Sequence, residues 1–331
     1  MGLSLSKDRV VEFVTKWEFL LVLIFIFVII LNSTLSPYFL NVDNILDTTF
    51  NFTEKAIIAL TMMFIIICAD IDLSVASIIA MASVFMGYAS EVHGVQTSGL
   101  IMIAILTGIG AGFLNGIIIT KLDIPAIGVT IGTMSLYRGI AYVILGDKAY
   151  TKYPKSFAYF GQGYIGSSPI PFEFIVFIFF AIIFGVLLHK TTFGRKVYAI
   201  GNNRIGAKFS GIKVDRIRLI LFTLNGLLSG IAAILLTSRI GSTRPYIANG
   251  WELDIITTVV LGGVSISGGS GNVFGVIIAI FLLGFLRFGM GLLNVPGIEM
   301  NIITGFLLII AIMFPNFLNN IKERMLKRET Y

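Results

Sequence analysis

Four carboxylates stand where this apolar chain can least tolerate them: Asp70 and Asp72 in ADIDLSVAS, and Glu252 and Asp254 in GWELD. An ionised carboxylate beside lipid is expensive unless it is paired or wetted. Two kinds of chemistry meet that demand. A proton or ion relay would use the titration of the acids. A boundary role would use their oxygens: Asp72, followed by Leu73 and Ser74, can accept free amide hydrogens at the start of a helix, and this is the reading the residues favour. Glu252 and Asp254 suit a helix first turn, where the positive end of the dipole welcomes a negative charge. Asn115 and Asn225 each occur as LNG inside an apolar run. Their amides need partners, either in a neighbouring helix or along a polar path.

Other chemistries find no residues to carry them. GGVSISGGSG, residues 262–271, is rich in glycine, but a phosphate cradle of the P-loop type needs a Gly-Lys pair and the chain has none. A tight turn with close backbone packing accounts for it better. His93 and His189 lie far apart in loops, so neither a zinc site nor a histidine-based nucleophile relay is expected, and no metal or cofactor is assigned to this chain. Its one cysteine, Cys68, lies in an apolar run and reads as a small buried hydrophobe. No catalytic residue is assigned, and the chain is not expected to be an enzyme.

The elements that must position these groups are membrane helices. With 56% hydrophobic and 13% charged residues, the 331-residue chain cannot clothe a soluble globule in polar surface. The net charge of +6 does not point to nucleic acid, because the basic residues fall in gaps between apolar runs. Taking roughly 20 residues per span, ten candidates emerge at about 19–38, 54–69, 73–90, 99–119, 125–145, 169–188, 219–238, 253–267, 272–293 and 299–315. The second and eighth are short, so the breaks that follow them read as re-entrant turns held within protein. The first run lacks a convincing cleavage site and reads as an uncleaved span. Gly108, Gly112 and Gly116 recur every fourth residue and mark a helix-packing face.

Lys and Arg fix the orientation. With the N-terminus inside, sixteen fall on the cytoplasmic side and six on the other, with Arg138 and Arg287 inside spans. The expected fold is therefore an all-α, polytopic membrane protein of about ten transmembrane helices with both termini cytoplasmic. It forms a single membrane domain over 1–331, with tails at 1–18 and 316–331. Eight of the basic residues lie in the cytoplasmic loop 189–218. That loop is longer than topology requires, which predicts a surface touched by a partner. Ile205, Phe209 and Ile212 recur at helical spacing, and Gly211 supplies a stop. On the other side, residues 146–169 are rich in tyrosine and phenylalanine, which suits contact with a sugar ring, a soluble partner or the membrane interface.

Four blocks, ADIDLSVASIIAMAS, FLNGIIITKLDIPAIGVTIGTMSLYRGIAYVI, TTFGRKVYAIGNNRIGAKFSGIKVDRIRL and WELDIITTVVLGGVSISGGSG, occur in this order. Together they resemble the permease subunit of bacterial ABC importers for monosaccharides, of the ribose, rhamnose and autoinducer-2 type. The resemblance covers nearly the whole chain from the second candidate span onward. It implies a multi-pass permease in the bacterial cytoplasmic (inner) membrane, embedded in lipid, that translocates a sugar. Its implied partners are a cytosolic ABC ATPase that binds ATP and Mg, a second permease subunit (identical or paralogous), and an extracytoplasmic sugar-binding protein. Nucleic acid is not among them. The basic loop then resembles the segment that docks on the ATPase, carried here by Asn203, Arg204, Ile205, Gly206, Ala207, Lys208, Phe209 and Gly211. Asp72, Ser74, Asn115, Asn225 and Glu252 become the candidate lining of the translocation path.

The chain departs from the family in two places. Relatives commonly carry acids in the coupling segment where this chain reads Arg204, Ile205, Gly206 and Ala207, and often read Gly-Gly-Ile-Asp where it has Ala69, Asp70, Ile71 and Asp72. The extra Asp70 is expected either to alter the path or to be solvated at a span end. On substrate, the resemblance ranks rhamnose or a related deoxysugar first, autoinducer-2 second and ribose third. An ion-coupled secondary transporter of a small polar solute is the competing class. It should place ionisable residues well inside spans.

Overall fold

The computed structural model describes residues 17–306 and residue 309. Among them the regular elements are helical, and strand pairing is confined to two isolated bridges, Tyr150 with Thr243 and Tyr164 with Pro171. The helices are α1 (Trp17–Leu35), α2 (Val42–Thr48), α3 (Thr53–Ile67), α4 (Val75–His93), α5 (Thr97–Lys121), α6 (Ala126–Leu145), α7 (Tyr159–Gln162) and α8 (Phe172–Lys190). They continue with α9 (Thr192–Asn202), α10 (Arg204–Phe209), α11 (Val214–Ile240), α12 (Trp251–Leu261) and α13 (Val273–Leu292).

Seven of these, α1, α4, α5, α6, α8, α11 and α13, are long and apolar enough to cross a bilayer. Val42–Asn51 and Thr53–Ile67, bent by 56° at their junction, can together supply an eighth, broken span. The expectation of ten is therefore met only in part. The eighth candidate shrinks to α12, whose 11 residues reach about 16 Å at helical rise, roughly half the hydrocarbon thickness. The tenth, 299–315, lies mostly outside the described residues, as do nearly all of the tails 1–18 and 316–331.

Helix α3 is the axis of the molecule. Apart from Lys55 all of its side chains are buried, which is what a helix apolar around its whole circumference demands. Helices α4 and α11 are also largely enclosed, whereas α1 buries only Leu21, Val28 and Asn32. One apolar cluster runs from Phe52 in front of α3 to Ile280 on α13.

Lipid removes the hydrophobic drive between helices, so close contact of small residues must replace it. The α5–α11 pair shows this. A Cβ on Gly112 would collide with the Phe222 carbonyl oxygen and lie 2.9 Å from the Gly226 Cα, while one on Gly108 would collide with the Gly226 carbonyl oxygen. Gly116 faces Leu219 one turn further on. Helix α8 packs on α3 through rings such as Phe184 against Phe64, with centroids 5.6 Å apart.

Candidate functional site

The break between α3 and α4 sits inside the protein. Asp72, Ser74, Asn115 and Asn225 have no accessible surface and form one chain of hydrogen bonds. Asp72 Oδ1 accepts from the Ser74 amide at 2.9 Å and the Ser74 hydroxyl at 2.6 Å. Asp72 Oδ2 accepts from Asn225 Nδ2 of α11 at 2.9 Å. Asn115 Nδ2 of α5 donates to Ser74 Oγ at 2.8 Å. Two further hydroxyls close the ends: Thr61 of α3 donates to Asn225 Oδ1 at 2.7 Å, and Tyr137 of α6 donates to Asn115 Oδ1 at 3.1 Å. Five elements thus meet on one carboxylate. Asp72 takes the amide of Ser74, the residue before α4, so its oxygen organises the entry to the helix rather than bonding the first-turn amides.

Two residues earlier, Asp70 is neither solvated nor part of this network. Its carboxylate receives Arg218 of α11 in a two-point pair, Nε at 2.6 Å and Nη2 at 3.0 Å, and Arg204 Nη2 at 3.1 Å. Arg204 also donates to the Cys68 carbonyl at 3.0 Å. Arg218 is 3% exposed and Arg204 41%. The first residue of α10 is therefore fastened to the same break that carries Asp72.

The basic loop folds into two helices, each opened by its own cap. Thr191 accepts from the Phe193 and Gly194 amides ahead of α9, and Asn203 accepts from the Gly206 amide at 2.7 Å ahead of α10. Gly211, at φ +82°, ends the turn after α10 in a conformation that side chains resist. Ala207 is buried, whereas Ile205 and Phe209 stand 70% and 89% exposed, so the apolar side of α10 faces away from the chain. The Gly-rich loop lies beside this region. The Gly269 amide donates to the Ile67 carbonyl at 2.8 Å, and Tyr198 of α9 donates to the Gly271 carbonyl at 2.7 Å.

At the opposite end, Glu252 is half-buried in the first turn of α12 and does not join the Asp72 network. Its neighbour Asp254 bridges Lys55 at 2.6 Å and Arg287 at 2.9 Å, tying α12 to α3 and α13. Arg138 of α6 donates from one nitrogen to the Pro245 and Ile247 carbonyls, each at 2.8 Å. Arg239 Nε donates to Glu54 Oε1 at 2.7 Å. Glu54 Oε2 and both oxygens of the buried Glu173 have no partner among the described residues. In the 146–171 segment the aromatics divide: Phe157 is buried under Tyr153, while Tyr159 and Tyr164 are exposed. Burial raises the Tyr153 phenol above its usual value, and the bond to Asp47 raises that of Tyr164, so both stay protonated at neutral pH.

Four of the five path candidates thus converge, and Glu252 stands apart. Thr61, Tyr137 and Arg218 complete the two clusters. A hydroxyl inside the otherwise apolar ALTMMF run hints at Thr61, but its partner lies 164 residues away, beyond any periodicity. Among the described residues no group of three or more His, Cys, Asp or Glu could hold a metal ion.

The family described as "Branched-chain amino acid transport system / permease component" matches residues 44–312. The ribose import permease protein RbsC of Bacillus subtilis (strain 168) is 38% identical over 292 residues, covering 88% of this chain and 89% of its own. Its Escherichia coli (strain K12) counterpart is 33% identical over 290 residues, 86% of this chain and 89% of its own. The L-arabinose transport system permease protein AraH of the same strain is 36% identical over 297 residues, 87% of either chain. No solved structure matches.

Proposed function

We propose a transport role for this chain, which belongs to the branched-chain amino acid transport system permease component family: it is the permease subunit of a sugar ABC importer. It is a multi-pass protein of the bacterial inner membrane. The observation that carries this reading is the 38% identity to a ribose permease across 88% of the chain. An importer of this kind works with an ATPase and a binding protein. Here ATP and Mg belong to the ATPase subunit, and a second permease, a copy or a paralogue, completes the conduit. The 189–218 loop and both termini face the cytoplasm.

Within that division of labour α10 is the handle. Its outward Ile205 and Phe209 suit a pocket on the ATPase. Arg204 and Arg218 fasten α10 and the start of α11 to Asp70, two residues from the carboxylate that joins five elements. A displacement of α10 on ATP binding is transmitted by these ion pairs to Asp72, and the Ser74, Asn115 and Asn225 bonds exchange as the path opens. The substrate is a monosaccharide, with a pentose favoured by the relatives' names, ribose and L-arabinose. The sequence-based preference for rhamnose draws no support from these relatives. The ion-coupled alternative is not favoured either.

The test is copurification of the tagged chain with mass spectrometry of bound subunits, then ATP-driven uptake of labelled ribose, arabinose and rhamnose by the reconstituted complex. Retention of a nucleotide-binding subunit and uptake of one of the sugars is the expected outcome. Recovery of the chain alone, with uptake driven by an ion gradient, would overturn the reading.

A further inference from the structure

The face opposite α10 holds a cavity that the coupling argument leaves unused. It lies between the end of α11, the 241–250 loop and the first residue of α12, with a volume of about 540 Å³. That is within the roughly 300–1,000 Å³ of small-molecule sites. Its polar and aromatic lining comprises Arg239, Ser242, Arg244, Tyr246, Asn249 and Trp251.

Several features show that this wall is built. Arg138 holds the loop by the two carbonyls of Pro245 and Ile247. Within the loop Ala248 takes φ +59°, a costly conformation for a side chain. Arg244 donates to the Tyr246 hydroxyl at 2.7 Å, fixing one against the other. Lys55 Nζ lies 4.8 Å from the centre of the Trp251 ring and pins the indole. Glu54 grips Arg239 by Nε. Ser242 Oγ is buried and has no hydrogen-bond partner among the described residues, a cost that a bound hydroxyl would remove.

The chemistry of the lining selects its occupant. Two guanidiniums, an amide and a free hydroxyl offer donors and acceptors, and an indole and a phenol offer apolar faces. No acidic side chain lines the cavity. An amino acid would bring an ammonium with no carboxylate to receive it. A sugar ring brings hydroxyls for the donors and an apolar C–H face for the indole.

We infer that this cavity is a low-affinity receiving site for a monosaccharide ring, stacked on Trp251 and hydrogen-bonded by Ser242 and Asn249, on the side where the path is loaded. The inference rests on the sugar-importer reading and adds to it the place where the ring first meets the permease.

The test uses the full complex in nanodiscs. A reporter cysteine replaces Ile240, a half-exposed residue of the same cavity, while the natural Cys68 is buried. An impermeant maleimide is added with D-ribose, L-arabinose, L-rhamnose or, as an acyclic polyol control, sorbitol, and labelling is read on the permease band. One of the cyclic sugars slows labelling and sorbitol does not. Trp251→Leu raises the half-protecting concentration about tenfold, and Trp251→Phe, which keeps a ring, largely retains protection.

Labelling unaffected by any sugar, in a complex that still takes one of them up with ATP, would sink the site and leave the transport reading intact. Protection by sorbitol, or protection undiminished in Trp251→Leu, would do the same. Absence of ATP-driven uptake of every sugar tested by the unsubstituted complex would bring down the reading and the site together.

Discussion

Asp70 and Asp72 differ by two positions and occupy different worlds. Asp70 is one corner of a charge cluster with Arg218 and Arg204, and Asp72 is the hub of an uncharged hydrogen-bond network. Removing the Asp70 charge strands the buried Arg218 guanidinium, so Asp70→Asn costs about 3–5 kcal/mol and lowers the melting temperature of the detergent-purified protein. Arg204 is partly exposed, so Arg204→Gln costs less than about 1 kcal/mol. Its effect is expected instead on coupling, as a fall in sugar transported per ATP hydrolysed. Equal stability losses in the two variants would contradict this division. At the hub, Asp72→Asn sets an amide against the Asn225 amide and loses about 2 kcal/mol. The exchange Asp72→Asn with Asn225→Asp restores a donor facing an acceptor, and a double-mutant cycle should recover about 1 kcal/mol. Purely additive losses would show that the two side chains do not interact.

Helices meet here by two rules, one for lipid-facing contact and one for partners in water. Along α5 and α11 the backbones touch at Gly112 and Gly226, whereas Gly110, on the same helix, has open space where a Cβ would go. Gly112→Leu is therefore expected to cost about 1–3 kcal/mol or more by overpacking, and Gly110→Leu to be tolerated. Monodispersity and melting temperature in gel filtration distinguish them. Helix α10 obeys the second rule, since its outward Ile205 and Phe209 touch little of their own chain. Replacing both with Asp should leave folding and the melting temperature unchanged while abolishing copurification of the ATPase. An intact complex from that variant would remove α10 from the coupling role.

For the molecule as a whole, the central question is which face is which. Basic residues on 189–218 place α10 inside, with the Trp251 cavity on the loading side. A cysteine at position 205, in a chain whose only natural cysteine is buried, should react with an impermeant maleimide in inside-out vesicles and not in intact cells. Labelling of intact cells would invert the molecule and exchange the roles of its two ends.

Much of this was legible in the residues. Long apolar runs require helices because lipid offers no partner to a bare backbone, glycine every fourth residue calls for a close neighbour, and basic gaps set a side. Asp72, Asn115 and Asn225 declare themselves because polar groups inside apolar runs must find one another. Which groups meet was not legible. Thr61 with Asn225, Arg218 with Asp70 and Arg138 with the 241–250 loop join residues more than a hundred positions apart, and no local pattern encodes such a pairing. The ten-span count erred for a related reason. Hydropathy measures how apolar a segment is, but the length of α12 and the bend before α3 are set by where neighbouring helices supply or withhold room.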